Sequence, residues 1–129
     1  METVFTPNAP EPIGPYSQGK RAAGFLFCSG QIAINPETGD LSGCVAEQTE
    51  QVCRNIGSIL DAADLSFGDV IKTACYLTDG GNFAAFNDVY AKYFVSSPAR
   101  SCVFVSSLPK GALVEIEATA YKPDTGEDS

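Results

Sequence analysis

The chain has 129 residues, 44% of them hydrophobic and 19% charged, which suits one folded domain and is too apolar for a disordered chain. Sixteen acidic residues against eight Lys and Arg give a net charge of −8. Such a field opposes long polyanions, because nucleic-acid affinity rests largely on cations that displace counterions from phosphates. The chain has no histidine, so the commonest general base and the commonest metal ligand are both missing. Ser/His, Cys/His and His-ligated zinc chemistry are thereby excluded.

The first dozen residues, with Glu2, Pro7, Pro10, Glu11 and Pro12, hold no apolar run and no Arg-rich stretch. A cytoplasmic protein without a leader is the expectation. No stretch approaches the roughly 18 apolar residues of a membrane span. Residues 1–129 read as a single domain in which 1–12 and 122–129 end the fold or fray. Gly14-Pro15 predicts a turn, and 20–23 and 25–29 predict two short strands around a tight bend at Gly24. Asn35-Pro36-Glu37-Thr38-Gly39 reads as a turn.

From Gly43 to Ala63 the apolar residues Val45, Val52, Ile56, Ile59, Leu60 and Ala63 recur at spacings of three, four or seven, with Glu50 and Arg54 as an i,i+4 pair. This predicts a long amphipathic helix, capped by Ser42. Val70–Leu77 is short and rich in β-branched and aromatic residues, a strand with Ile71, Cys75 and Leu77 on one face and Val70, Ala74 and Tyr76 on the other. After Asp79-Gly80-Gly81, the residues Phe83, Phe86, Tyr90, Tyr93 and Phe94 form a helical stripe ending near Val95. Two more strands, 101–106 and 113–121, flank Leu108-Pro109-Lys110-Gly111. The order predicts an α+β fold, a mixed sheet with two helices on one face. Its second face is either solvated or pressed against other subunits, and the apolar strand patterns favour subunits.

The five cysteines, Cys28, Cys44, Cys53, Cys75 and Cys102, are odd in number and form no CxxC pair, so they read as reduced thiols rather than as zinc or redox ligands. Arg100 and Cys102, two apart at the start of a strand, share a face. A guanidinium there could grip a carboxylate with two parallel hydrogen bonds, or simply pair with a surface acid. Glu115, Glu117 and Thr119 alternate against Val114, Ile116 and Ala118. Their polar face could line a cleft in which one glutamate holds a water, or it could be a charged, solvent-facing edge. Asn87 lies inside the apolar stripe of its helix, so its amide either ties the helix to a loop or points into a site. Tyr16 after the Gly-Pro turn and Ser29-Gly30-Gln31 at a strand end could orient a small polar substrate. Cys102 has no histidine to activate it, and packing is its expected role.

Together, Ile13-Gly14-Pro15-Tyr16-Ser17-Gln18, Ser29-Gly30-Gln31, the Asn35–Gly39 turn, Val70-Ile71-Lys72-Thr73, Asn87-Asp88-Val89-Tyr90, Pro98-Ala99-Arg100-Ser101-Cys102 and Leu108-Pro109-Lys110-Gly111 with Val114-Glu115-Ile116-Glu117-Ala118 resemble the reactive intermediate deaminase (Rid, YjgF) family along nearly the whole chain. The resemblance implies a chorismate-mutase-like homotrimer with clefts between neighbouring subunits. It implies hydrolysis of 2-aminoacrylate and 2-aminocrotonate, through their imines, to 2-oxo acids and ammonia, without metal or organic cofactor. By the same resemblance Arg100 clamps the substrate carboxylate and Glu115 positions and activates water. Tyr16 and Ser29 orient the imine, Gly30 and Cys102 offer backbone groups, and Asn87 supports the cleft wall. The segment from Phe94 to Pro98 is shorter than in many members, which bears on substrate preference if it forms the cleft rim. Two other readings remain: an endoribonuclease that inhibits translation, against which the charge argues, and a non-catalytic trimeric module that binds carboxylate metabolites or acts as a chaperone.

Overall fold

The computed structural model describes residues 1–123. Its elements run β1 (Glu2–Val4), β2 (Gly19–Ala22), β3 (Phe25–Gln31), α1 (Val45–Ala62), β4 (Val70–Leu77), α2 (Phe83–Tyr93), β5 (Ala99–Phe104) and β6 (Val114–Tyr121). The six strands form one sheet in the order β1-β2-β3-β6-β4-β5. The β4–β5 pair is parallel and every other pair antiparallel, so the sheet is mixed, as the sequence predicts. In the parallel pair α2 makes the crossover. No helix among the described residues is long and apolar enough to cross a membrane.

Both helices cover the same face. Val52, Ile56, Ile59 and Leu60 of α1 and Phe86 and Tyr90 of α2 join one core with Leu26, Cys75, Leu77, Val114, Ile116 and Ala120 of the sheet. Each fully buried Leu, Ile or Phe side chain contributes about 1.5–3 kcal/mol through the apolar area it takes from water. Glu50 ties the helices together at the surface, accepting from the Tyr93 hydroxyl at 2.5 Å and lying 3.4 Å from Lys92 Nζ.

Among the described residues no helix covers the opposite face. Phe25, Phe27 and Tyr121 stand there, with Phe25 stacked on Phe27 at a centroid distance of 6.0 Å and tilted against Tyr121 at 4.7 Å, and Phe27 is half exposed. Alternation along β6 puts Glu115, Glu117 and Thr119 on this face while Val114, Ile116, Ala118 and Ala120 are buried under the helices.

Four local expectations are corrected. Residues 1–12, expected to end the fold or fray, are held rather than frayed: β1 pairs with β2, and Gln18 accepts from the Thr6 N–H at 2.7 Å while its amide donates to the carbonyls of Thr6, Ala9 and Pro10. Three carbonyls and an N–H with one buried partner fix that segment as firmly as a strand would. Of the tail 122–129, Lys122 and Pro123 are exposed and the remainder lies outside the described residues. Helix α1 is opened by Cys44 rather than Ser42, because Gly43 turns the chain at φ +101° and Glu47 then reaches back to accept the Cys44 N–H at 2.9 Å. In β4 a bulge between Val70 and Lys72 breaks the alternation, so Val70 faces the core with Cys75 and Leu77, and Ile71 is exposed. Strand β5 starts two residues earlier than predicted, at Ala99.

Candidate functional site

A cleft of about 400 Å³ opens on the side of the sheet away from the helices, between the Tyr16 turn and the end of β3. Tyr16, Ser29, Gly30 and Glu115 line it, as do Ile13, Ile34 and Pro109, which the sequence argument did not single out. Its floor depends on a second β-bulge. Cys28 pairs with Ala118 and Gln31 with Ile116, so β3 fits three steps against two of β6 and its extra residue falls at Ser29-Gly30. The bulge turns Ser29 toward the N-terminal segment. Its hydroxyl donates to the Ser17 carbonyl at 2.5 Å and its N–H to the Gln18 carbonyl at 2.9 Å.

Gly30 is where the site needs a missing side chain. A Cβ there would stand 2.2 Å from Glu115 Oε2, 2.9 Å from Cδ and 3.2 Å from Cγ. The carboxylate lies directly over the glycine, and any larger residue would expel it. Burial raises the Glu115 pKa above the ordinary carboxylate value, and the like charge of Glu117, two residues along the same face, raises it further. Glu117 itself is exposed and accepts a hydrogen bond from the Tyr76 hydroxyl at 3.1 Å. A carboxylate with raised pKa, half-buried beside a hydroxyl-lined cleft, can orient a water and take its proton.

Arg100 lies elsewhere. It pairs in register with Thr73, and Cys102 with Cys75, so both point to the helix-covered face at the sheet's β5 edge. The guanidinium sits 4.8 Å from the Tyr90 ring centroid and 5.7 Å from those of Phe83 and Phe86, and it donates to Asn87 Oδ1 at 2.8 Å. Within the chain, then, the Asn87 amide oxygen is turned to the arginine. Among the described residues the ion pairs join Glu50 to Arg54 and to Lys92, leaving Arg100 with no carboxylate partner. A second cavity of about 290 Å³ borders it, walled by Tyr90, Phe94, Val95, Ser97 and Pro98, so the short 94–98 segment does flank the arginine.

Within one chain the predicted residues therefore fall into two separate groups. Tyr16, Ser29, Gly30 and Glu115 meet in the cleft; Asn87, Arg100 and Cys102 meet at the β5 edge on the other side of the sheet. The Cys102 thiol is half-buried, and its pKa is raised by burial against a lowering influence of Arg100. Burial pushes the Cys28 and Cys75 thiols up to about 12 and raises Cys53 as well, which leaves them inert. No group of three or more Cys, Asp or Glu side chains that could hold a metal ion occurs among the described residues.

A mixed sheet with two helices on one face, a cleft the size of a small metabolite with Glu115 in its wall, and an arginine with no carboxylate partner among the described residues define an α+β protein with room for a small molecule. The family model described as endoribonuclease L-PSP matches residues 6–122, and the chain belongs to this family, the Rid or YjgF/RutC proteins. It is 56% identical to a RutC family protein of Pyrococcus horikoshii, over 94% of this chain and 98% of the relative. It is 42% identical to the 2-iminobutanoate/2-iminopropanoate deaminase of Escherichia coli K12, over 94% and 98%. Among solved structures, Escherichia coli TdcF with bound serine superposes with a TM-score of 0.91 at 40% identity, covering 95% of this chain and 99% of that one.

Proposed function

We propose that the protein hydrolyses reactive 2-imino acids, formed from 2-aminoacrylate and 2-aminocrotonate, to 2-oxo acids and ammonia. The observation that carries this reading is Glu115, held over Gly30 in a small cleft with its pKa raised by burial. The relationship to the Escherichia coli deaminase and to a serine-binding structure supports the choice of a small amino-acid-derived substrate.

In this mechanism Arg100 binds the substrate carboxylate through two parallel hydrogen bonds, and Tyr16 and Ser29 orient the C=N group. Glu115 takes a proton from water as the oxygen attacks C2, and the C=N electrons move to nitrogen. Glu115 returns that proton to the nitrogen to give the carbinolamine, then takes the hydroxyl proton as the C=O bond forms and the C–N bond breaks, and delivers it to the departing nitrogen, which leaves as ammonia. Imines of this kind hydrolyse slowly unaided, so orientation and one positioned water suffice without histidine, metal or organic cofactor.

Because Glu115 and Arg100 lie on opposite sides of one sheet, the complete site draws them from two copies of the chain, with a homotrimer as the assembly that the family resemblance implies. The face with Phe25, Phe27 and Tyr121 is a surface suited to such packing. Two experiments test the reading. With 2-aminoacrylate generated from serine by a dehydratase, the wild type accelerates pyruvate release while Arg100→Ala and Glu115→Ala, folded and assembled, lose most of that acceleration; full activity in either refutes its assigned role. Co-refolding the two inactive variants should recover part of the activity through mixed assemblies, and none would be regained if each site lay within one chain.

RNA cleavage, suggested by the family description, ranks below this reading. Sixteen acids, three arginines and no histidine leave little to hold phosphates or move protons along a polyanion. Tight RNA binding at physiological salt with Arg100-dependent cleavage would reverse that order. A metabolite-binding module without turnover is the other alternative, and the Glu115→Ala comparison separates it from a deaminase.

A further inference from the structure

The three aromatic rings around Arg100 are not equivalent. Tyr90 is the nearest, its centroid 4.8 Å from the guanidinium carbon, and it is 92% buried whereas Phe83 is over a third exposed. Tyr90 is also the one that cannot turn. Its hydroxyl shares a 2.7 Å hydrogen bond with Thr73 Oγ1, a buried residue directly in register with Arg100 on the neighbouring strand. Its ring is clamped by Phe94, stacked at 4.3 Å, and by Phe86 at 5.5 Å. A guanidinium carries little torsional preference of its own at the end of a long side chain. Here one edge is pinned by Asn87 Oδ1 and one face is supported by a locked ring, which leaves the remaining N–H groups for an outside acceptor.

We infer that Tyr90, its ring clamped by Phe94 and Phe86, is a positioning residue that holds the plane of the Arg100 guanidinium for bidentate capture of a carboxylate. The inference rests on the carboxylate-binding role proposed for Arg100 and deepens it. Tyr90 does not touch substrate in this account; it lowers the entropy that Arg100 would lose on binding an anion. Its consequence is selectivity. A preset fork favours a planar carboxylate over an uncharged group of the same shape, and loosening the fork should erode that preference more than it erodes binding in general.

The test compares binding of pyruvate and of pyruvamide, its neutral isostere, by isothermal titration to the assembled protein. Wild type should prefer pyruvate strongly, and Arg100→Ala should abolish the preference; if wild type shows none, or Arg100→Ala keeps it, the carboxylate role of Arg100 fails and the present inference with it. Given that role, Tyr90→Leu should cut the pyruvate-to-pyruvamide preference about fivefold to tenfold, from the loss of a partly desolvated cation–π contact. Tyr90→Phe, which keeps the ring, should stay within about twofold. Equal weakening of both ligands by Tyr90→Leu would mean that Tyr90 only packs, and would overturn the inference. A second readout needs no destabilised variant: in the wild type and in Tyr90→Phe the Arg100 Nη protons should show restricted rotation by NMR before ligand is added. A freely rotating Arg100 guanidinium in the wild type would overturn the inference equally.

Discussion

Replacing Gly30 with alanine tests the heart of the site with one methyl group. Gly30 is not among the residues of positive φ, so its backbone accepts alanine without strain. The new Cβ would lie 2.2 Å from Glu115 Oε2, more than an ångström short of ordinary contact, and 2.9 Å from Cδ. The β6 backbone beneath is fixed by ladders on both sides, to β3 and to β4, so the carboxylate must give way. It has open cleft into which to swing, so the cost to stability is small. Its cost to catalysis is not: displacement of a positioned group by about 1 Å is worth on the order of 100-fold in rate, or about 2.7 kcal/mol of barrier. The expected result is a melting temperature within a few degrees of wild type and a kcat for pyruvate release from dehydratase-generated 2-aminoacrylate reduced about 100-fold. An alanine variant with undiminished acceleration would refute the claim that Glu115, over that glycine, handles the attacking water.

Four further outcomes follow from the structure. In the proposed reaction Glu115 works as the carboxylate, so kcat should rise with pH through a value above the ordinary glutamate range, and Glu117→Gln, by removing the like charge, should move that rise to lower pH. Since the Glu115 pKa is raised on folding, its ionised form opposes the folded state, and the stability held below the unfolded value is lost as pH climbs past the folded one; Glu115→Gln should therefore melt higher than wild type at neutral pH and lose that advantage in acid. Gln18→Leu removes four hydrogen bonds that hold the segment from Thr6 to Pro10 and should cost about 3 kcal/mol in denaturant unfolding, with faster amide exchange of the N-terminal residues. Arg100→Lys should leave folding intact but raise KM for the imine about tenfold, because an ammonium reproduces the charge and not the fork.

How much of this was readable beforehand varies with the range of the interactions involved. Both helices, the hairpin around Gly24 and the alternation of β6 were legible because each depends on neighbours within a few residues: periodicity for the helices, positive φ at Ala23 and Gly24 for the turn, and period two for the strand. The two bulges were not, since Val70-Ile71 and Ser29-Gly30 look regular until their partners on β6 are known. What holds the N-terminal segment is hidden from the sequence for a similar reason. Its Pro-rich residues carry no period, and the buried amide that holds them belongs to Gln18, a residue the Gly-Pro turn brings back against them.

The sequence alone determined the chemical inventory: an acidic chain without histidine, with an arginine at a strand start and a glutamate on the polar side of another strand. It also determined the α+β order of elements, since local periodicity carries that information. Only the tertiary structure decided that this arginine and this glutamate occupy opposite sides of one sheet, because strand order and register are set by pairings between residues far apart in the chain. Only it could bring Tyr90 and Thr73 beneath the guanidinium and Gly30 beneath the carboxylate, for contacts of that kind arise when separate elements pack and leave no period in the sequence.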